Sequence, residues 1–293
     1  MVEMKELEFK PDVKLSRLTT LGIGGKARLM AEPQTPSDIQ ACIKFAKTQG
    51  LRWFVLGNGS DVLFSDEGFD GLVIRTLKLS EFHFEGTNLI ALCGAKLPKL
   101  VRTTTRLGLS GLENLVGIPG TVGGAVAKNA GAFGREISEL INWLEFIDMD
   151  GNVIKLERDE LRFGYRWSEF PQKGILLRVG LHLVESEPSK SMDLMMQFLK
   201  RRRKTQPLGK TAGCVFKNPP NARPAGYLLD KAGLKGFRVG GAKFSEIHAN
   251  FVINAGGATA HDVVKLMQIG KNRVFDKFGV NLEPEIVMVG VEL

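Results

Sequence analysis

Gly117-Ile118-Pro119-Gly120-Thr121-Val122-Gly123-Gly124-Ala125-Val126-Ala127-Lys128-Asn129-Ala130-Gly131-Ala132-Phe133-Gly134 is the stretch on which the reading of this chain turns. Six glycines in eighteen residues, interleaved with alanines, exceed what a turn requires. One explanation is close packing of a helix on a sheet. The preferred one is a backbone surface laid against a large flat ligand and its phosphates, because glycine lets main-chain N–H groups approach an anion. A second loop, Gly57-Asn58-Gly59-Ser60-Asp61-Val62-Leu63, follows Trp53-Phe54-Val55-Leu56, which reads as a short buried strand. It is not a dinucleotide fingerprint, since Val62 stands where the third glycine belongs. Nor is it a P-loop, because no Gly-Lys-Ser/Thr follows.

Around these loops the pattern mixes helices and strands. Thr35-Pro36-Ser37-Asp38 is a helix start, and Ile39, Cys42, Ile43 and Ala46 continue it as an apolar stripe that Gly50 stops. Strands are expected near 72–76, 82–85 and 89–93, and a helix from Leu97 to Leu107 closed by Gly108. Asp150-Gly151 marks a hairpin, and ILLRVGLHLV near 175–184 another strand. Glu185 to Lys190 reads as a polar bridge. A Met-rich helix with Met192, Met195 and Met196 as core packing follows, then the basic run Lys200 to Lys204. Thr259 to Phe278 is a capped amphipathic helix ended by Gly279, and the last strand follows with Glu285 near its start. Hairpins beside helices indicate α+β rather than a purely parallel sheet, with boundaries near 70 and 190.

The 293 residues are 43% hydrophobic and 25% charged, which excludes disorder as the main state. No apolar run reaches the roughly 18–20 residues of a membrane helix. The N-terminal MVEMKELEFKPDVK lacks the apolar core of a secretory signal. Cys42, Cys93 and Cys214 are too few and scattered for a disulfide framework, so a cytoplasmic, reduced protein is expected. Four histidines without a repeated spacing give no metal site. The net charge of +8 favours an anionic partner. With only two tyrosines and no aromatic ribonucleoprotein stretch, that partner is not expected to be nucleic acid.

Thr20-Leu21-Gly22-Ile23-Gly24-Gly25, the two glycine loops and three later blocks, in this order from about Thr19 to Gly290, resemble the UDP-N-acetylenolpyruvoylglucosamine reductase family. These are FAD enzymes of peptidoglycan precursor synthesis, in the service of cell-wall biogenesis, cell shape and division. The resemblance implies the FAD-binding fold of the vanillyl-alcohol-oxidase type. Residues 1–70 would be FAD-binding subdomain 1, residues 71–190 subdomain 2, and residues 191–293 a third α+β domain that binds substrate. It implies non-covalent FAD, NADPH as reductant and a UDP-sugar as substrate, with no membrane partner. FAD contacts would come from Gly57, Asn58, Gly59, Ser60, Gly117, Pro119, Gly120, Thr121, Gly123, Gly124 and Ala130. Position 61 is Asp where the family usually has Asn, which suits a structural hydrogen bond better than a phosphate contact.

Phe163-Gly164-Tyr165-Arg166-Trp167-Ser168 resembles the family's arginine block, Ala212 to Pro219 its proton-donor block, and Pro284-Glu285-Ile286 its glutamate block. The resemblance thus makes Arg166, Cys214 and Glu285 catalytic; many members have serine where this chain has Cys214. In the family's reaction a hydride passes from NADPH through the flavin to the enolpyruvyl group, and charge develops beside its carboxylate. A planar guanidinium suits that charge. Glu285 would help as a protonated acid or through a network. A thiol, of unperturbed pKa about 8.5, is a stronger acid than a hydroxyl and would protonate the adjacent carbon. Lys217 and Asn218 adjoin that donor as substrate contacts. Arg203, Gln206 and the segment His248-Ala249-Asn250 rank below them.

Some members cover the diphosphate with a tyrosine on an extra loop between the arginine and proton-donor blocks. Tyr165 and Tyr227 both lie outside that interval, so the chain resembles the second type, without the loop. Two other readings stay open on the residues. One is another FAD oxidoreductase of the same fold acting on a small alcohol, relatives of which attach FAD through a histidine. His83, His182, His248 and His261 all lie outside the glycine loops. The other is a basic nucleotide- or RNA-binding module resting on Lys200 to Lys204.

Overall fold

The computed structural model describes residues 7–293; the first part of the N-terminal segment read for a signal lies outside the described residues. The chain forms two compact units. The first holds the residues up to Pro11, Leu29–Asn58 and Gly71–Arg202. The second holds Asp12–Arg28, Gly59–Asp70 and Arg203–Leu293. A single helix runs through the expected bridge: Pro188 opens it and it continues to Thr205, and the division between the compact units falls within it, between Arg202 and Arg203.

The first unit contains helices α1 (Pro36–Thr48), α2 (Leu97–Arg106), α3 (Val122–Ala127) and most of α4 (Pro188–Thr205). α1 starts where the sequence indicates. Thr35 accepts a hydrogen bond from the Asp38 N–H, and the Asp38 carboxylate accepts one from Thr35 N–H. Its buried face is Ile39, Cys42, Ile43 and Ala46. The main sheet is antiparallel, in the order Val153–Glu157, Ile141–Asp148, Gly174–His182, Asn88–Leu92, Phe82–Glu85. Trp53–Leu56 lies parallel to residues 72–75. It is less buried than its apolar sequence suggests: Leu56 is buried, whereas Val55 is exposed. The core gathers Leu72, Ile74, Leu89, Ala91, Leu97, Leu100, Val179 and Leu181, all with essentially no solvent contact. On α4 only Met195 of the three methionines is buried; Met192 packs at the edge and Met196 is exposed.

The second unit has its own core around Phe216, Phe244, Leu229, Leu266 and Met267. An antiparallel sheet, in the order Thr211–Cys214, Phe251–Asn254, Ala242–Phe244, Arg238–Val239, carries α5 (Ala225–Lys231) and α6 (Ala260–Phe278). α6 is capped as expected, by a capping box of Thr259 and Asp262, and Gly279 ends it in the left-handed conformation. The final strand, Val287–Val289, runs parallel to Val62–Phe64. Among the described residues no helix is long and apolar enough to cross a membrane.

Candidate active site

In the first unit the two glycine-rich loops meet. A Cβ built on Gly57 would stand 2.6 Å from Thr121 Oγ1. Thr121 is buried, and its hydroxyl caps α3 by accepting from Gly124 N–H at 3.3 Å. The glycines of the long stretch divide between the two explanations considered for them. Gly123 is a packing glycine: its Cβ would press on Cys93, whose carbonyl accepts Gly123 N–H at 2.8 Å. Gly124 is exposed, and a Cβ there would find only Thr121 Oγ1, at 3.7 Å. Gly117 and Pro119 are exposed and Gly120 half-buried, with the Gly120 carbonyl accepting Leu97 N–H. Ala130 spends its N–H on Ala125 O and its carbonyl on Ile137 N–H.

The first loop passes from one unit to the other between Asn58 and Gly59. Gly59 is buried with φ +65°, and its carbonyl accepts from Thr20 N–H at 2.9 Å. The main-chain N–H groups of Asn58, Gly59 and Ser60 take no partner among the described residues. Within the first unit, the unspent Asn58 N–H and the bare backbone at Gly124 are what a dinucleotide's phosphates and flat ring system require, so these residues fit FAD.

Arg166 lies in the first unit, in the two-residue turn of a hairpin whose arms are Phe163–Gly164 and Trp167–Ser168. Its φ is +56°, a left-handed backbone that a bulky residue adopts only when its surroundings enforce it. The guanidinium lies over the Tyr165 ring at 5.1 Å. A Cβ on Gly131 would sit 3.4 Å from Arg166 Nη1, so the arginine lies against the end of the long glycine stretch.

Cys214 and Glu285 lie in the second unit, on segments that hydrogen-bond side by side. Glu285 N–H donates to Val215 O at 2.8 Å, Phe216 bridges Pro284, and Lys217 N–H donates to Glu283 O. Cys214 is half-buried at the end of its strand, opposite Phe251. It lines a cleft of about 290 Å³ with Asn218, Tyr227, Lys235, His248 and Asn250. The other two thiols are different. Burial pushes Cys42 and Cys93 up to about 12, which leaves them as inert packing groups. Burial also lowers the His248 imidazole below its usual value, helped by nearby Lys235.

The remaining candidates have definite places. Asn218 lines the cleft, and its Oδ1 accepts Ala225 N–H at 3.0 Å at the start of α5. Lys217 pairs with Glu283 at 3.3 Å. Arg203 is exposed and Gln206 half-buried, neither of them in the Cys214 cleft. Asn250 is a framework residue: its amide brackets Phe216, accepting from Phe216 N–H at 3.0 Å and donating to Phe216 O at 2.8 Å. Tyr227 and Lys235 in the cleft, and Asn129 beneath the arginine hairpin, escape a sequence reading because no local spacing marks them. In the basic run, Arg201 and Arg202 lie over the Phe133 ring at 5.1 and 5.7 Å, and Phe133 stacks on Phe198. Two cations offered for nucleic acid thus already contact an aromatic of the glycine stretch.

Comparison with known proteins places this arrangement. Residues 205–289 match the family model for the C-terminal domain of UDP-N-acetylenolpyruvoylglucosamine reductase, and residues 27–157 match an FAD binding domain. The reductase of that name from Caldicellulosiruptor bescii is 44% identical over 97% of this chain and 91% of its own length. The one from Aquifex aeolicus is 42% identical over 96% and 95%. The solved Thermus caldophilus UDP-N-acetylenolpyruvylglucosamine reductase superposes with a TM-score of 0.85 at 38% identity, covering 97% of this chain and all of that one. Likeness to 6-hydroxy-D-nicotine oxidase from Arthrobacter nicotinovorans concerns the fold alone: TM-score 0.50, 19% identity, over 62% of this chain and 42% of that one.

Proposed function

From the premise that the chain belongs to the UDP-N-acetylenolpyruvoylglucosamine reductase family, we propose that it uses NADPH to reduce the enolpyruvyl group of UDP-N-acetylglucosamine enolpyruvate to UDP-N-acetylmuramate. The activity is that of an NADPH-dependent UDP-N-acetylmuramate dehydrogenase. FAD, when bound, supplies the relay of two electrons from NADPH to the enolpyruvyl carbon. Asn58, Gly59 and Ser60 offer it main-chain donors, and Gly124 offers open backbone. The four histidines lie outside both loops, which favours non-covalent binding over the attachment used by small-alcohol relatives.

The side chains divide the remaining work. Arg166 holds the carboxylate next to which charge develops, and its fixed cation stabilises that charge more than the starting state. Cys214 delivers a proton from Sγ to the carbon next to the carboxylate. Glu285, tied through its main chain to Val215, steadies the developing charge as an acid or through a hydrogen-bonded network. Asn218 lines the same cleft as Cys214 and contacts the substrate; its neighbour Lys217 is a second substrate contact. Without a covering tyrosine, lysines and arginines of the C-terminal region, Arg203 among them, hold the diphosphate; Gln206 adds a polar contact. Residues 1–70 and 71–190 serve FAD and residues 191–293 the substrate. A cytoplasmic place, supplying cell-wall synthesis and through it cell shape and division, follows from a nucleotide-linked precursor.

The observation that carries this reading is Cys214: of three thiols it alone is accessible, in a cleft, on a strand joined to Glu285. The test is direct. Purified protein is yellow, releases FAD on denaturation, and under anaerobic conditions oxidises NADPH beyond one equivalent per flavin only when the enolpyruvyl sugar is present. A colourless protein that shifts RNA on a gel, or a flavin retained after denaturation with turnover of a small alcohol, contradicts it.

A further inference from the structure

The hairpin that carries Arg166 has two residue pairs and cannot hold its own shape in water. What fixes it is the segment after α3. Asn129 is 1% exposed and left-handed, φ +43°, a conformation asparagine tolerates better than most residues. Its Nδ2 donates to Gly164 O at 3.1 Å and to Glu136 Oε2 at 2.6 Å, while its Oδ1 accepts Ser138 N–H at 3.2 Å. One hydrogen bond grips the arm before Arg166; the others lock the amide's orientation, so the grip cannot rotate away. The opposite arm is held by Ser168, whose hydroxyl donates to Ala127 O at 2.9 Å. Both tethers start in the six residues from Val126 to Gly131, the segment that also brings Gly131 against the guanidinium.

We infer that Asn129 is the positioning residue of Arg166: through Gly164 O, with Ser168 as second tether, it holds the guanidinium at the end of the glycine stretch. The inference rests on the reading of Arg166 given above. It explains why an amide, and not merely a glycine, stands at a left-handed position. It also makes the stretch read for FAD and the side chain read for the substrate carboxylate parts of one rigid piece.

The test uses the holoenzyme of four variants: Asn129→Gly, Ser168→Ala, Arg166→Ala, and Asn129→Gly with Arg166→Ala. Glycine accepts the backbone conformation and removes only the amide. Asn129→Gly is expected to keep its FAD and its rate of flavin bleaching by NADPH. Its reoxidation by the enolpyruvyl sugar should slow by about 10- to 100-fold, the scale of a misplaced positioning group. Adding it to Arg166→Ala should cost nothing more, because the two act as a unit. Limited trypsin cleavage after Arg166 should quicken in Asn129→Gly and, less, in Ser168→Ala. Parent reoxidation in Asn129→Gly, or additive losses in the double variant, overturns the inference. If Asn129→Gly does not fold, Ser168→Ala decides: slowed reoxidation with faster cleavage supports the clamp, and parent values of both overturn it. Normal turnover in Arg166→Ala instead removes the reading of Arg166, while the trypsin result still reports on the clamp by itself.

Discussion

Asn250→Ala tests how the segment that follows Cys214 is built. Asn250 is 2% exposed, and its side chain stands in for a strand partner to Phe216, two residues past Cys214. Truncation leaves the Phe216 N–H and carbonyl unpaired in the core of the second unit. An unsatisfied buried group costs about 1–3 kcal/mol, so the pair costs about 2–6 kcal/mol. At about 2–3 °C per kcal/mol for a protein of this size, the melting temperature falls by roughly 4–18 °C. Asn250→Asp separates the two bonds. It retains an acceptor for Phe216 N–H but sets a carboxylate oxygen against Phe216 O. At neutral pH it is therefore no better than alanine, and it recovers on acidification, when the protonated carboxyl can donate. Melting curves followed by circular dichroism and by flavin release measure both. If Asn250→Ala melts with the parent protein, the bracket does not hold the segment and this reasoning fails.

Further outcomes are expected elsewhere. Arg166→Ala keeps its FAD but reduces the enolpyruvyl substrate about 10²- to 10³-fold more slowly, the usual loss of one charge stabiliser; steady-state assays with a flavin absorption spectrum check both halves. Gly59→Ala introduces a Cβ that overlaps Leu18 O at a φ of +65°, so the loop shifts and the purified protein carries less FAD. Stability should fall on acidification in two stages. Buried His248 resists protonation, so the unfolded chain takes up the proton first and stability drops as the pH falls below about 6.5. The Asp262 carboxylate is held down by hydrogen bonds from Thr259 and Gly241 N–H groups. Its contribution, present above about 3.9, is lost as pH falls through its lower folded value. Melting temperature against pH, with His248→Gln removing the upper stage, measures this.

What the sequence shows and what it hides differ in physical origin. Helices with local punctuation are legible: Thr35, Pro36 and Asp38 start α1, and Thr259 and Gly279 delimit α6, because caps and left-handed stops act within a few residues. Pro188 was hidden inside what reads as a polar bridge, yet it opens α4, since a first-turn proline and a linker proline look alike. Met196 falls on the solvent side of α4 because a helix as polar as this one buries only a narrow stripe. Long-range association is not legible at all. No local pattern announces that Val287–Val289 pairs with Val62–Phe64, or that residues 12–28 and 59–70 belong with the C-terminal third. The site divides in the same way. The glycine loops and the blocks around Arg166, Cys214 and Glu285 carry recognisable residue types in order. Asn129 and Asn250 act through three-dimensional hydrogen bonds to the main chain of distant residues, and an isolated asparagine in a sequence carries no sign of that.

Cys214→Ala tests the central claim most directly, because the two half-reactions can be watched separately by stopped flow. On the proposed role of Cys214, bleaching of the flavin by NADPH needs no proton from it, whereas reoxidation by the enolpyruvyl sugar does. The variant should bleach at the parent rate and reoxidise about 10²- to 10⁴-fold more slowly, the usual worth of a general acid. Cys214→Ser should recover much of that loss. Reoxidation of the alanine variant at the parent rate would show that Cys214 is a packed thiol and that the proton comes from elsewhere.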